Sequence, residues 1–175
     1  MDSLLTIYDS EQARGLNSDL ADFLLSLPEE QFSKRSHYFH GRYENLYIDQ
    51  SVHPGLQAII ELGLTKAAEI LNQPKKSLRV GFWLNIMNKG DVTTLHSHDD
   101  DDELLSAVYY VLVPESSGLF RLHEQNKVQE IAPVEGRFMF FDPVLPHEVT
   151  EHRSREPRVS IGMNIGPADP EGIEN

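Results

Sequence analysis

Of the eight histidines in this 175-residue chain, three have a spacing that suits metal chemistry. His96 and His98 lie in Thr93-Thr94-Leu95-His96-Ser97-His98. Residues two apart on a strand point to one face, so both imidazoles can address a single ion. His147 lies much later, in Phe141-Asp142-Pro143-Val144-Leu145-Pro146-His147-Glu148-Val149. Two ligands on one strand face and a third from a distant strand form a metal site suited to a β-barrel. Imidazole suits iron, and three protein ligands leave coordination positions open. The bland alternative is a pair of exposed strand-end residues, because alternation alone produces His-x-His. His37, His40, His53 and His152 stand in polar or terminal settings and read as surface residues. His123 alternates with Arg121 and can face a cavity, but nothing pairs it with a metal.

A second group lies near the end of the chain. On a strand starting at Arg158, the residues Arg158, Ser160, Gly162 and Asn164 face one way. Val159, Ile161, Met163 and Ile165 face the other. A polar row backed by an apolar row describes the wall of a cavity. A guanidinium can hold a carboxylate through two hydrogen bonds, and a serine hydroxyl can add a third. The competing reading of Arg158 is a surface salt bridge with Glu156.

These groups need a scaffold, and the apolar periodicity supplies one. Ser18 is placed to cap a short helix through Leu25, stopped by Pro28. A stronger helix begins near Pro54 and runs towards Asn72, with Leu56, Ile59, Ile60, Leu64, Ala67, Ala68 and Leu71 on one face. From Leu78 the period changes to two. Strands are expected over 79–87, 92–98, 105–113, 119–124, 128–132, 137–142, 147–152 and 158–165, most of them separated by turn residues. About eight short strands without intervening helices describe an antiparallel sandwich or barrel. The expected organisation is therefore one structural domain. An N-terminal helical and irregular support covers residues 1–77, a β-core covers 78–166, and a tail follows over 167–175.

The same residues resemble a known family. Gly90 to His98 followed by Leu105-Ser106-Ala107-Val108-Tyr109-Tyr110-Val111 is similar to 2-oxoglutarate/Fe(II)-dependent oxygenases of the prolyl-hydroxylase-like kind. The similarity continues through Trp83-Leu84-Asn85, Pro133-Val134-Glu135-Gly136, Phe141, Pro143, His147 and Arg158 to Asn164. It implies a mainly β fold with N-terminal helices, a double-stranded β-helix of the jelly-roll or cupin-like kind. It also implies Fe(II) as metal, with O2 and 2-oxoglutarate as cosubstrates. Substrate C–H hydroxylation would release succinate and CO2. Carried onto this chain, the family pattern makes His96, His98 and His147 metal ligands, and Arg158 with Ser160 the grip on the distal carboxylate of 2-oxoglutarate. Tyr110 and Asn85 are further candidates for that carboxylate.

Two departures separate the chain from the family pattern. Most members carry His-x-Asp, whereas registering from Gly90 puts His98 where the aspartate is expected. A second register reads His98-Asp99-Asp100 as His-x-Asp, giving His98, Asp100 and His147; a carboxylate there matches the usual Fe(II) chemistry. The spacing from Gly90 favours His96, His98 and His147. The acidic run Asp99 to Glu103 is also longer than the pattern, and Ala107 replaces the usual glycine. Such barrels host other functions. A cupin-type metalloenzyme without 2-oxoglutarate and a metal-free ligand-binding barrel are the rival readings. Arg158-x-Ser160 after the last histidine favours the oxygenase over the cupin.

Bulk properties narrow the class further. A net charge of −13 argues against nucleic-acid binding, since the short basic clusters are too small to form a groove. No apolar run approaches the roughly 20 residues that span a bilayer, and the N-terminus shows no secretory pattern. Cysteine is absent, which removes disulfides and thiolate ligands and fits a cytoplasmic enzyme. The acidity either solvates the surface or welcomes a basic substrate.

Overall fold

Strands β1 (Leu5–Asp9), β2 (Lys34–Phe39) and β3 (Arg42–Tyr47) precede eight more: β4 (Leu78–Met87), β5 (Thr93–His96), β6 (Leu105–Leu112), β7 (Phe120–Glu124), β8 (Lys127–Ile131), β9 (Arg137–Phe141), β10 (His147–Val149) and β11 (Arg158–Pro167). This computed structural model describes residues 5–98 and 102–169, and Asp100, the rival ligand, lies outside them. The strands form two antiparallel sheets, ordered β1-β9-β6-β11-β4-β3-β2 and β5-β10-β7-β8. From β4 to β11 the chain alternates between sheets, reversing at the β7–β8 hairpin. The result is a double-stranded β-helix of four strands facing four.

All eight expected strands are present, with ends shifted by a few residues. The N-terminal region differs from its helical and irregular reading, because β1, β2 and β3 extend both edges of the large sheet. β1 pairs with β9, and β3 joins β4 through Leu46 opposite Leu84. The β2–β3 hairpin turns at His40 and Gly41, with φ of 48° and 81°, where glycine meets no steric cost.

Helix α1 (Glu11–Arg14), helix α2 (Asn17–Ser26) and helix α3 (Pro54–Leu71) cover the outer face of the large sheet. Pro54 opens α3, His53 Nδ1 accepts the Gly55 N–H at 3.0 Å, and Asn72 ends it in the left-handed region. Ser18 does not cap α2, which starts at Asn17 after Leu16, two residues earlier than a Ser18 cap would place it. Leu56, Ile59, Ile60 and Ala67 are fully buried against Tyr109, Phe138, Val159, Ile161 and Met163. Each large aliphatic side chain so buried contributes about 1.5–3 kcal/mol. A second core lies between the sheets, built from Met87, Tyr110, Phe120, Leu122, Met139, Phe141 and Val149. The polar face of β11 opens into this second core. Among the described residues, no helix is long and apolar enough to cross a membrane.

Candidate metal and cosubstrate site

The small sheet brings the three histidines together. His147 on β10 is the register partner of His96 on β5, and His98 follows two residues later, its N–H donating to Pro143 O at 2.8 Å. One nitrogen from each of the three imidazoles lies within 4.8 Å of the others. His96 Nδ1 donates to Thr94 O at 2.6 Å and His147 Nδ1 donates to Leu145 O at 3.0 Å. A carbonyl only accepts, so each ring carries a proton on Nδ1, which leaves Nε2 as the nitrogen available to a metal. Burial against Phe120 and Phe141, with His96 beside it, pushes the His147 pKa down to about 3. His147 is therefore neutral at pH 7 and ready to ligate. His98 packs on Trp83 at 5.4 Å between ring centroids, with Asn164 Nδ2 at 3.4 Å from its Nδ1.

The large sheet supplies the other wall of the same pocket, which Trp83, Asn85, Arg158, Ser160 and Gly162 line together with the histidines. Gly162 is required there, because a Cβ would stand 2.4 Å from the Trp83 ring. Ser160 lies between Asn85 on β4 and Tyr110 on β6 in register, so three strands place these polar groups in one row. Arg158 is only 1% exposed, and no carboxylate among the described residues pairs with it. The surface salt bridge with Glu156 is thus ruled out as its role. Its Nη1 donates to Gly118 O at 2.7 Å, and the guanidinium lies over the Tyr110 ring, 5.1 Å from the centroid. Tyr110 Oη and Arg158 Nε are fully buried and neither makes a hydrogen bond of good geometry, although the Arg158 charge lies close enough to act on the Tyr110 hydroxyl. Tyr110 sits behind Arg158 and does not itself line the pocket. Burial raises the Tyr110 pKa, against the opposing pull of Arg158. Burial likewise lowers that of Arg158.

The remaining histidines divide. His37 and His40 are exposed, as expected. His53 and His152 are buried, contrary to their surface reading: His53 caps α3 and bonds Asp19 at 3.0 Å, and His152 Nε2 donates to Glu156 O at 2.7 Å. His123 does not face the cavity. Phe120 and Leu122 take the inner positions of β7, leaving His123 outside, bonded to Glu148 at 3.1 Å.

Residues 82–166 match the family model of the 2OG-Fe(II) oxygenase superfamily, where 2OG is 2-oxoglutarate. The matched segment takes in the double-stranded β-helix from Phe82 on, so this part of the chain is similar to that superfamily. The family so matched uses Fe(II) and 2-oxoglutarate, and His96, His98 and His147 form a group that could hold such a metal. Solved structures share the fold of this chain at low identity. A prolyl-4-hydroxylase from Pseudomonas putida is 16% identical, with a TM-score of 0.72 over 96% of this chain and 90% of that one. The α-ketoglutarate-dependent carbocyclase SnoK of nogalamycin biosynthesis is 13% identical, with a TM-score of 0.73 over 96% and 81%. A Trichoplax adhaerens prolyl hydroxylase, solved with a hypoxia-inducible-factor peptide, is 14% identical, with a TM-score of 0.65 over 93% and 83%. No curated protein matches this chain significantly in sequence.

Several residues that shape the site were not expected from sequence. Thr93 and Trp83 line the pocket, Gly118 holds Arg158, and Arg42 and Glu44 reach the site from β3. The first two stand in strands already expected to carry the site. The last two carry no signal in the sequence, because only tertiary contacts bring β3 there.

Proposed function

We propose that this protein is a 2-oxoglutarate-dependent hydroxylase in which His96, His98 and His147 hold Fe(II) and Arg158, Ser160 and Asn85 line the wall that binds the cosubstrate, with Tyr110 behind Arg158 reaching it once the carboxylate is held there. The observation that carries the cosubstrate assignment is the buried guanidinium of Arg158 without an acidic partner. A cation removed from water is costly unless an anion joins it, and a dicarboxylate whose far end reaches Arg158 supplies that anion. When bound, the iron and 2-oxoglutarate supply the oxidising chemistry: O2 is consumed, one oxygen atom enters a substrate C–H bond, and succinate and CO2 leave.

The chain's own residues bind, orient and exclude water. Arg158 offers its guanidinium edge to the distal carboxylate, Ser160 and Asn85 flank it, and the Tyr110 hydroxyl awaits an acceptor brought against Arg158. The inter-sheet aromatics Phe120 and Phe141 keep water from the ring of His147. Trp83, packed over Gly162 and beside His98, bounds the space left for substrate next to the metal.

The test is bound iron together with 2-oxoglutarate consumption and succinate formation by the Fe(II)-loaded protein. Stoichiometric iron with slow uncoupled succinate release supports the assignment. Iron binding with no affinity for 2-oxoglutarate would instead indicate the cupin-type chemistry.

A further inference from the structure

Two charged side chains of β3 reach the site from outside the segment that carries the family match. Glu44 is only 3% exposed. Its Oε1 accepts the Thr94 N–H at 2.9 Å, and its Oε2 accepts the Thr94 hydroxyl at 3.0 Å. Thr94 is the residue whose carbonyl receives the His96 Nδ1 proton. The carboxylate therefore pins the residue that sets both the tautomer and the direction of a proposed iron ligand.

Arg42 acts on the other wall. Its Nη1 donates to Asn85 Oδ1 at 3.0 Å and its Nη2 to Val92 O at 2.8 Å. A guanidinium has no acceptor, so the Asn85 amide must turn its oxygen to Arg42. Its Nδ2 then faces Thr93 Oγ1 at 2.9 Å and the pocket. Reversing the amide would set its NH2 against the guanidinium. Asn85 thus joins Arg158 and Ser160 as a hydrogen-bond donor on the cosubstrate wall. Glu44 at 4.0 Å and Asp91 at 3.6 Å balance the charge of Arg42.

We infer that the β2–β3 hairpin is a positioning device for both halves of the site. Glu44 aligns His96 for iron through Thr94, and Arg42 orients the Asn85 amide as a donor to 2-oxoglutarate. This rests on the ligand assignment proposed above. Neither residue touches the reacting atoms, so the two act through His96 and Asn85. A hairpin that only anchored the fold would lower stability without separating the two ligands.

The experiment measures two affinities anaerobically on the full chain. Fe(II) affinity is read by competition with a chromophoric chelator, and 2-oxoglutarate affinity by calorimetry on metal-saturated protein. Thermal unfolding is followed alongside. Glu44→Ala should weaken iron by about 10- to 100-fold, the range for outer partners of metal ligands, and leave 2-oxoglutarate affinity within a few-fold. Glu44→Gln should recover most of the loss, since its amide can accept from the Thr94 N–H and donate to the hydroxyl. Arg42→Met should weaken 2-oxoglutarate by about tenfold and leave iron unchanged. Adding Asn85→Ala to Arg42→Met should cost no more than Asn85→Ala alone, because residues acting through one another are not additive. Arg42→Lys should recover part of the affinity. If a truncation fails to fold, Thr94→Val and Arg42→Lys carry the same split with smaller losses. Unchanged affinities, or both affinities falling together in step with the melting temperature, overturn the inference. Failure of the ligand assignment itself looks different: wild type would bind neither ligand, or His147→Ala would keep its iron.

Discussion

The two ends of the pocket are prepared in opposite ways. At the proposed metal end, on the small sheet, hydrogen bonds are made: His96 and His147 donate from Nδ1 to carbonyls, and burial keeps His147 neutral. At the proposed cosubstrate end, on the large sheet, Arg158 donates to Gly118 O, while its Nε and Tyr110 Oη are buried without a hydrogen bond of good geometry. A neutral His147 costs little when buried, whereas a buried cation costs stability until an anion arrives. Metal binding therefore needs ligand geometry, and cosubstrate binding draws on electrostatic demand. Substitutions at the two ends should separate accordingly.

The largest effect belongs to the metal end. His147→Ala should lower iron affinity by on the order of 100-fold or more and abolish turnover, with the β-domain still folded by circular dichroism. Normal iron content in that variant would remove the site. His96→Ala and His98→Ala should each lose iron in the same assay, while Asp100→Ala retains it. Loss of iron in Asp100→Ala with retention in His96→Ala would establish the His98, Asp100 and His147 register.

Next comes the cosubstrate end. Arg158→Ala removes the buried cation, and losing one partner of such a charge pair costs about 3–5 kcal/mol, at least about 100-fold in 2-oxoglutarate affinity. Arg158→Lys should recover only part, because an ammonium lacks the planar two-pronged contact. Iron affinity should survive in both. Equal 2-oxoglutarate affinities in wild type and Arg158→Ala, titrated anaerobically with Fe(II), would take Arg158 out of the site. Gly118→Ala is a milder version of the same break. A Cβ there would lie 2.0 Å from Thr150 O, so the loop must move and carry with it the carbonyl that Arg158 Nη1 grips. Such overpacking costs about 1–3 kcal/mol of stability. The 2-oxoglutarate affinity should fall by less than in Arg158→Ala, with iron unaffected.

How far each end was legible follows from the range of the interactions involved. His96, His98 and the polar row from Arg158 to Asn164 are read from strand alternation, a local property that the backbone imposes. The α3 stripe was legible for the same reason. His147 needed a distant partner, and a family resemblance supplied what spacing could not. The β2–β3 hairpin was missed because β2 is an edge strand, exposed on nearly every residue, and so shows no apolar alternation. Arg42 and Glu44 then read as ordinary surface charges of a chain with net charge −13. Their partners Asn85 and Thr94 lie about 40 to 50 residues away. His53 and His152 were misplaced by the same limit, because polar neighbours in sequence do not report the packing of distant elements.

The smallest effect sharpens the comparison most, because its sign differs between stability and binding. Tyr110→Phe removes a buried hydroxyl with no partner and keeps the ring under Arg158. Leaving a polar group buried and unsatisfied costs about 1–3 kcal/mol, so its removal should leave the ligand-free protein as stable or make it more so. With 2-oxoglutarate bound, the wild-type hydroxyl gains an acceptor in the carboxylate held by Arg158. Its loss should then weaken 2-oxoglutarate by about 1 kcal/mol, roughly fivefold, and leave iron affinity unchanged. Thermal unfolding of the ligand-free and 2-oxoglutarate-bound, metal-loaded forms reads both signs in one experiment. Wild type should gain more from the ligand than Tyr110→Phe does. A variant less stable without ligand, yet equal in affinity, would mean that the hydroxyl serves the core, and the contrast between the two ends would then rest on Arg158 alone.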